Sequence, residues 1–185
     1  MNKYIRAMYC IPTGFVKMLW TKLFHINNFK CNYICSISPL SEITIEKNAR
    51  LTLGKNFKMR DGAKIRVRNG AECYIGNNSS INSNNIITCR KKIIIGDYVW
   101  LSPNVQIYDH DHDYKTLNGI KDNKYITDSI IIGNNVWIGA NTIILKGTTI
   151  GDNSIIGAGC ILKGNYPDKS VIVQKRINEN LNNAK

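Results

Sequence analysis

The chain has 185 residues, enough for one domain with appendages, and its 25 Lys and Arg against 13 Asp and Glu give a formal net charge of +12. That balance favours an anionic partner such as nucleic acid, lipid phosphate, an acidic glycan or coenzyme A. Six cysteines without C-x-x-C spacing, and with no secretion signal ahead of them, argue against a zinc ribbon or a bridged secreted scaffold and predict reduced thiols in a cytosolic protein.

Residues 1–40 hold Lys3, Arg6, Lys17, Lys22 and Lys30 and no acidic side chain. Phe15, Leu19 and Leu23 fall on one i, i+4, i+8 line and Val16, Trp20 and Phe24 on the next, with Lys17, Thr21 and His25 on the other side. This spacing predicts an amphipathic helix after a Pro12-Thr13-Gly14 turn. It is too short and too interrupted by lysine to span a bilayer, and it lacks a signal-peptide cleavage site. Two roles compete for it: packing on the open end of the following domain or on a neighbouring subunit, and peripheral contact with an anionic membrane face.

Residues 41–173 read as one repetitive domain that starts near Ile43. Ile45, Leu53, Met59, Val67, Ile75, Ile81 and Ile87 recur at six or eight, and Ile95, Leu101 and Ile107 at six. The period is strict in Ile132, Ile138, Ile144, Ile150, Ile156 and Leu162, whose fourth-place companions are Val136, Thr142, Thr148, Ser154 and Cys160. A period of six keeps no helical face dry. Each unit is better a short strand and a tight turn with its aliphatic residue pointing inward, and such units bury that residue only by stacking into a solenoid. Gly54-Lys-Asn, Arg60-Asp-Gly, Arg68-Asn-Gly and Gly76-Asn-Asn supply turns. Cys160 occupies a rung and reads as core packing rather than a nucleophile.

The ladder breaks over residues 108–129, where Tyr108-Asp-His-Asp-His-Asp-Tyr114 opens a polar run. A solenoid tolerates such an insertion as a loop extruded sideways, and a loop of this length in a compact domain is usually functional or disordered. Residues 174–185 form a polar tail.

The run from Ile132-Gly-Asn-Asn-Val-Trp-Ile-Gly-Ala to Ile150-Gly-Asp-Asn-Ser-Ile-Ile-Gly-Ala-Gly159 resembles the hexapeptide-repeat acyltransferases, in particular the maltose/galactoside type and the polysaccharide O-acetyltransferases. The resemblance implies an all-β, left-handed parallel β-helix, a homotrimer, and transfer of an acetyl group from acetyl-CoA to a sugar hydroxyl without a metal. The histidines of the insertion suit this chemistry, since imidazole is the side chain that accepts a proton near neutrality and an adjacent carboxylate can hold its ring. The position after Pro103-Asn104-Val105-Gln106-Ile107 matches the family's catalytic histidine and implies His112 as base, with His110 the second candidate and Asp109 an orienting carboxylate. Asn82 and Asn84, one coil earlier, match the family's acceptor pocket, although corner geometry alone explains most such asparagines. Arg90, with Lys91 and Lys92, replaces acidic positions of the galactoside enzymes and implies a different acceptor, such as a phosphorylated, uronic or lipid-linked glycan. For the donor, the resemblance implicates Gly139, Ala140, Ala158 and Lys163, with Lys175 and Arg176 for the nucleotide phosphates and Trp137 lining the channel. The basic balance and the cationic N-terminal segment point to a surface-polysaccharide precursor handled in the cytoplasm, peripheral at the inner membrane face, with no nucleic acid partner. A noncatalytic scaffold or glycan binder and a metal-dependent hydratase of the γ-carbonic-anhydrase type are the rival readings; the second would need three histidines, and the third, His25, stands in the N-terminal segment.

Overall fold

The structure, a computed structural model, describes residues 3–32 and 35–175. Short strands wind around a three-sided prism and pair in parallel, coil on coil. The first face stacks Phe29–Cys31, Arg50–Leu53, Glu72–Ile75, Lys92–Ile95, Ile130–Ile132, Thr149–Ile150 and Asn165–Tyr166. The second stacks Ser36–Ile37, Lys58–Met59, Ser80–Ile81, Trp100–Leu101, Trp137–Ile138, Ile155–Ile156 and Val171–Ile172. The third stacks Glu42–Ile45, Lys64–Val67, Ile86–Cys89, Gln106–Tyr108, Ile143–Leu145 and Ile161–Leu162. This is the parallel β-helix the six-residue period predicts.

Register converts the period into a core. On the second face Ile37, Met59, Ile81, Leu101, Ile138, Ile156 and Ile172 are aligned one above the next. On the third, Ile65, Ile87, Ile107, Ile144 and Leu162 do the same. Nearly all of these side chains are buried, each contributing about 1.5–3 kcal/mol relative to exposure. Buried Ser79, Thr142, Thr148 and Ser154 share this interior because their hydroxyls bond backbone carbonyls at the turns.

The coil begins at Phe29 rather than near Ile43. Its first-face rung is Cys31, paired with Leu53, so the aliphatic marker that identifies later coils is missing there.

A helix, α1, runs over Lys3–Phe24, not only beyond Gly14, and passes through Pro12. It lies on the first coil, mainly against Ser36–Ile37. Gly14 marks the closest approach, where a Cβ would sit 2.9 Å from the Ile37 amide nitrogen. The side that meets the solenoid carries Cys10, Gly14, Lys17 and Met18. Lys17 reaches the Ser41 carbonyl, and its Nζ donates to Ser41 Oγ at 3.2 Å. Burial lowers the pKa of this ammonium, against the opposing pull of Glu42. The apolar side therefore faces away from the solenoid: Leu19, Leu23, Val16, Trp20 and Phe24 point outward and the lysine points in.

Candidate active site

The insertion leaves the prism between the third face and the first. It forms a two-stranded antiparallel hairpin, His110–His112 against Tyr125–Thr127, with a short 3-10 turn at Gly119–Asp122. His110 pairs with Thr127 and His112 with Tyr125, so both imidazoles lie on one side of a strand and Asp111 on the other. The Asp128 amide donates to the Asp109 carbonyl at 2.9 Å, closing the hairpin at its root.

Asp109 is the anchor. It is fully buried, and its carboxylate accepts backbone N–H bonds from Arg90 (2.8 and 3.0 Å), Lys91 (2.7 Å) and Lys92 (2.9 Å), and a weak one from the Cys89 thiol at 3.5 Å. The corner of the preceding coil is thus a nest of amides closed on an anion. Burial works to raise the Asp109 pKa, but the hydrogen bonds from His110 and the Lys91 and Arg90 amides outweigh it and hold the group below the usual carboxylate range. The nearby thiols behave oppositely: burial pushes Cys73 up to about 12 and raises Cys89 further, so neither is a nucleophile near neutrality.

The remaining Asp109 contact goes to His110, whose Nδ1 lies 3.1 Å from Oδ1. The His110 side chain is only 13% exposed and meets the rings of Tyr108 and Tyr125 edge-on. His112 is exposed and packs on Tyr125, with centroids 4.6 Å apart. The Arg90 guanidinium lies 3.4 Å from the Tyr125 ring centroid. Lys146, one coil on, pairs with Asp111 at 3.2 Å. Arg90, Asp109, His110 and His112 therefore gather at one corner, with Tyr125 and Lys146 as members that sequence reasoning missed. The signal for Tyr125 was present: Tyr125-Ile-Thr127 is a strand-forming triplet in an otherwise polar insertion.

The other candidates lie elsewhere. Asn82 and Asn84 are exposed at the corner between the second and third faces, where Asn84 takes a left-handed conformation with φ 58°. Asn82 also lines a cleft of about 640 Å³ with Lys58, Arg60, Trp100 and Ile11 of α1. Gly139, Ala140 and Ala158 stack at the same corner two and three coils on, and the Gly159 amide donates to the Ala140 carbonyl. Lys175 follows the last strand of the second face, and Lys163 stands across the third face, just past Ile161–Leu162. Trp137 lies exposed on the second face in register with Trp100, and its Nε1 donates to Ser102 Oγ at 3.1 Å. The two tryptophans and Tyr98 line a groove of about 380 Å³. Arg176 lies outside the described residues. Among the described residues no group of three or more His, Cys, Asp or Glu is placed to hold a metal. Asn82, Asn84, Gly139, Ala140, Ala158 and Lys175 are thus separated, within one chain, from the histidine corner by the width of the third face, whereas Arg90 and Lys163 stand on the histidine side of it.

Residues 129–164 match the family described as bacterial transferase hexapeptide (six repeats). The galactoside O-acetyltransferase of Escherichia coli K12 is 40% identical over 97 residues, covering 52% of this chain and 47% of that one. The putative lipopolysaccharide biosynthesis O-acetyl transferase WbbJ of the same strain is 28% identical over 103 residues, covering 51% and 53%. The chain spans about half the length of the curated relatives it matches. Among solved structures, AntD, an N-acyltransferase from Bacillus cereus in complex with dTDP and 3-hydroxybutyryl-CoA, superimposes with a TM-score of 0.64 at 20% identity over 82% of this chain and 81% of that one. The hexapeptide-repeat acetyltransferase VCA0836 of Vibrio cholerae, complexed with acetyl coenzyme A, gives 0.53 at 22% identity over 77% and 64%.

Proposed function

We propose that this chain, whose residues 129–164 match the bacterial transferase hexapeptide repeats, is an acetyl-CoA-dependent O-acetyltransferase acting on a sugar hydroxyl. The observation that carries the reading is the pair of histidines presented on one face of a hairpin, rooted in a buried carboxylate, where an otherwise regular ladder is interrupted. A structural insertion has no need of two imidazoles at its base. The named activities of the relatives, and the coenzyme A ligands of the structural neighbours, support the donor.

In this reading His112 is the general base, being the imidazole open to an incoming acceptor. It takes the sugar hydroxyl proton as that oxygen attacks the thioester carbonyl. The C–O bond forms, the tetrahedral oxyanion collapses, the C–S bond breaks, and the imidazolium returns its proton to the departing thiolate, giving ester and free CoA. His110, tethered to Asp109, holds the hairpin against the prism. A single chain keeps the histidine corner and the corner of Asn82, Gly139, Ala140 and Ala158 apart, so we take the working enzyme to be a homotrimer whose seam joins them. The exposed Trp100, Trp137 and Tyr98 would then line that seam. Arg90 and its lysine neighbours favour an acceptor carrying negative charge, consistent with a role in surface-polysaccharide synthesis.

One observation favours a second assignment of the base: the carboxylate-to-imidazole contact is made by His110. Both assignments are read in one assay, release of free CoA with a panel of galactosides and sugar nucleotides. His112→Ala is expected to lose roughly 10²–10⁴-fold in kcat with its melting temperature retained, while His110→Ala loses stability as well as rate. Full activity in His112→Ala with loss in His110→Ala would transfer the role to His110. Absence of CoA release with every acceptor would remove the enzymatic reading.

A further inference from the structure

The outer side of α1 is strongly apolar. Met8, Tyr9, Val16, Leu19, Trp20, Leu23 and Phe24 are all exposed, Trp20 by 57% and Phe24 by 74%, and Trp20 and Phe24 stack at 5.8 Å. At 100° per residue these positions, with Ile11, Pro12 and Phe15, sweep more than half the helix circumference. Among the described side chains of the helix only Thr13 and Lys22 interrupt that arc. A surface helix ordinarily turns such a stripe to the core. Here the solenoid takes the narrow opposite side, fixed by Gly14 against Ile37 and by Lys17 on the Ser41 carbonyl, so the inversion is built in rather than left to a loosely held segment.

We propose that α1 is an in-plane docking element for an anionic phospholipid surface, independent of the catalytic reading. Charge selects this occupant. The first 41 residues include Lys3, Arg6, Lys22 and Lys30, and the first acidic residue of the chain is Glu42. A second copy of the chain seated on this face would bring the same cations against one another in a low-dielectric contact. An anionic bilayer accepts both properties at once, taking the bulky side chains into the head-group and acyl boundary and pairing the lysines with lipid phosphate. No described helix is long and apolar enough to cross a membrane, so α1 lies along the surface. Docked this way, the prism rests on the bilayer by its first coil.

The test is flotation of the full-length protein with vesicles of phosphatidylcholine alone and of phosphatidylcholine with phosphatidylglycerol, using wild type and the double variant Trp20→Glu, Leu23→Glu. Both substituted side chains are exposed, and circular dichroism, molar mass in solution and CoA release with a soluble acceptor are followed in parallel. The expected result is flotation of wild type with the anionic vesicles, at least tenfold weaker in high salt, with the variant left in the dense fraction at unchanged molar mass and turnover. Wild type remaining in the dense fraction, or floating equally with neutral vesicles, would overturn the proposal. A variant of reduced molar mass would assign the face to a subunit contact instead.

Discussion

Replacing Asp109 by Asn removes one charge and almost no volume, so its effect isolates the anion at the hairpin root. In the wild type three backbone amides and one imidazole converge on this carboxylate at 2.7–3.1 Å with no access to water. The Asn carbonyl oxygen can keep the Lys91 and Lys92 amides, but each bond falls from charge-assisted to neutral, a loss of about 1 kcal/mol apiece. The Asn amide nitrogen, standing in for Oδ1, then faces the Arg90 N–H donor against donor where 2.8 Å separated the pair, and Arg90 keeps only its 3.0 Å contact to the carbonyl oxygen, at a further cost of about 1–3 kcal/mol. The sum is roughly 3–5 kcal/mol, or about 6–20 °C in Tm for a chain of this size. Because the Asp109 pKa is depressed in the folded state, its stabilising contribution is fully present above the unfolded value of about 4 and is lost only as pH falls through the lower, folded value. Urea unfolding of wild type and variant should therefore differ most at pH 7, and the gap should close below pH ~4. A variant matching wild type at pH 7, or a gap that persists unchanged into acid, would refute the amide nest as the anchor.

Tyr125 lies between the Arg90 guanidinium and the two imidazoles, so Tyr125→Ala should lower kcat by about tenfold, the scale of one cation–π contact, with KM for acetyl-CoA unchanged, while Tyr125→Phe keeps the ring and the rate; steady-state kinetics on the pair decide it. At Gly139 an added Cβ would stand 2.5 Å from the Ala158 amide nitrogen, backbone that cannot rotate away, so Gly139→Ala should cost about 1–3 kcal/mol, read as a fall in Tm.

The period of six disclosed the prism because a β-helix has one inward position per step, and Ile at that position is the same signal on all three faces. It failed where the inward residue was not aliphatic: Cys31 concealed the first coil. The corners were read correctly as turns, but not the division of labour within them. In the Gly-x-Asn corners the asparagine takes the left-handed conformation, φ 57° at Asn56, 55° at Asn78 and 54° at Asn135. The glycine is there because the next coil passes too close for a Cβ, 2.5 Å from backbone at both Gly54 and Gly76. That stacking demand is a relation between residues about twenty apart, which no single turn displays. The helix itself was legible, but not which of its sides packs. Periodicity reports that one side is apolar; whether that side meets the protein depends on the other surface, and here Lys17 finds carbonyls on the solenoid that suit it better than a leucine would. The candidate site divides along the same line. Asp109, His110 and His112 are neighbours in sequence and could be read directly, whereas Arg90 and Lys146 reach the same corner only because the coils before and after the insertion stack there. A hairpin that draws its anchor from the coil below and an ion pair from the coil above is held at two levels of the prism. That is how a loop of some twenty residues can present two imidazoles in a fixed geometry rather than sweep them through solvent.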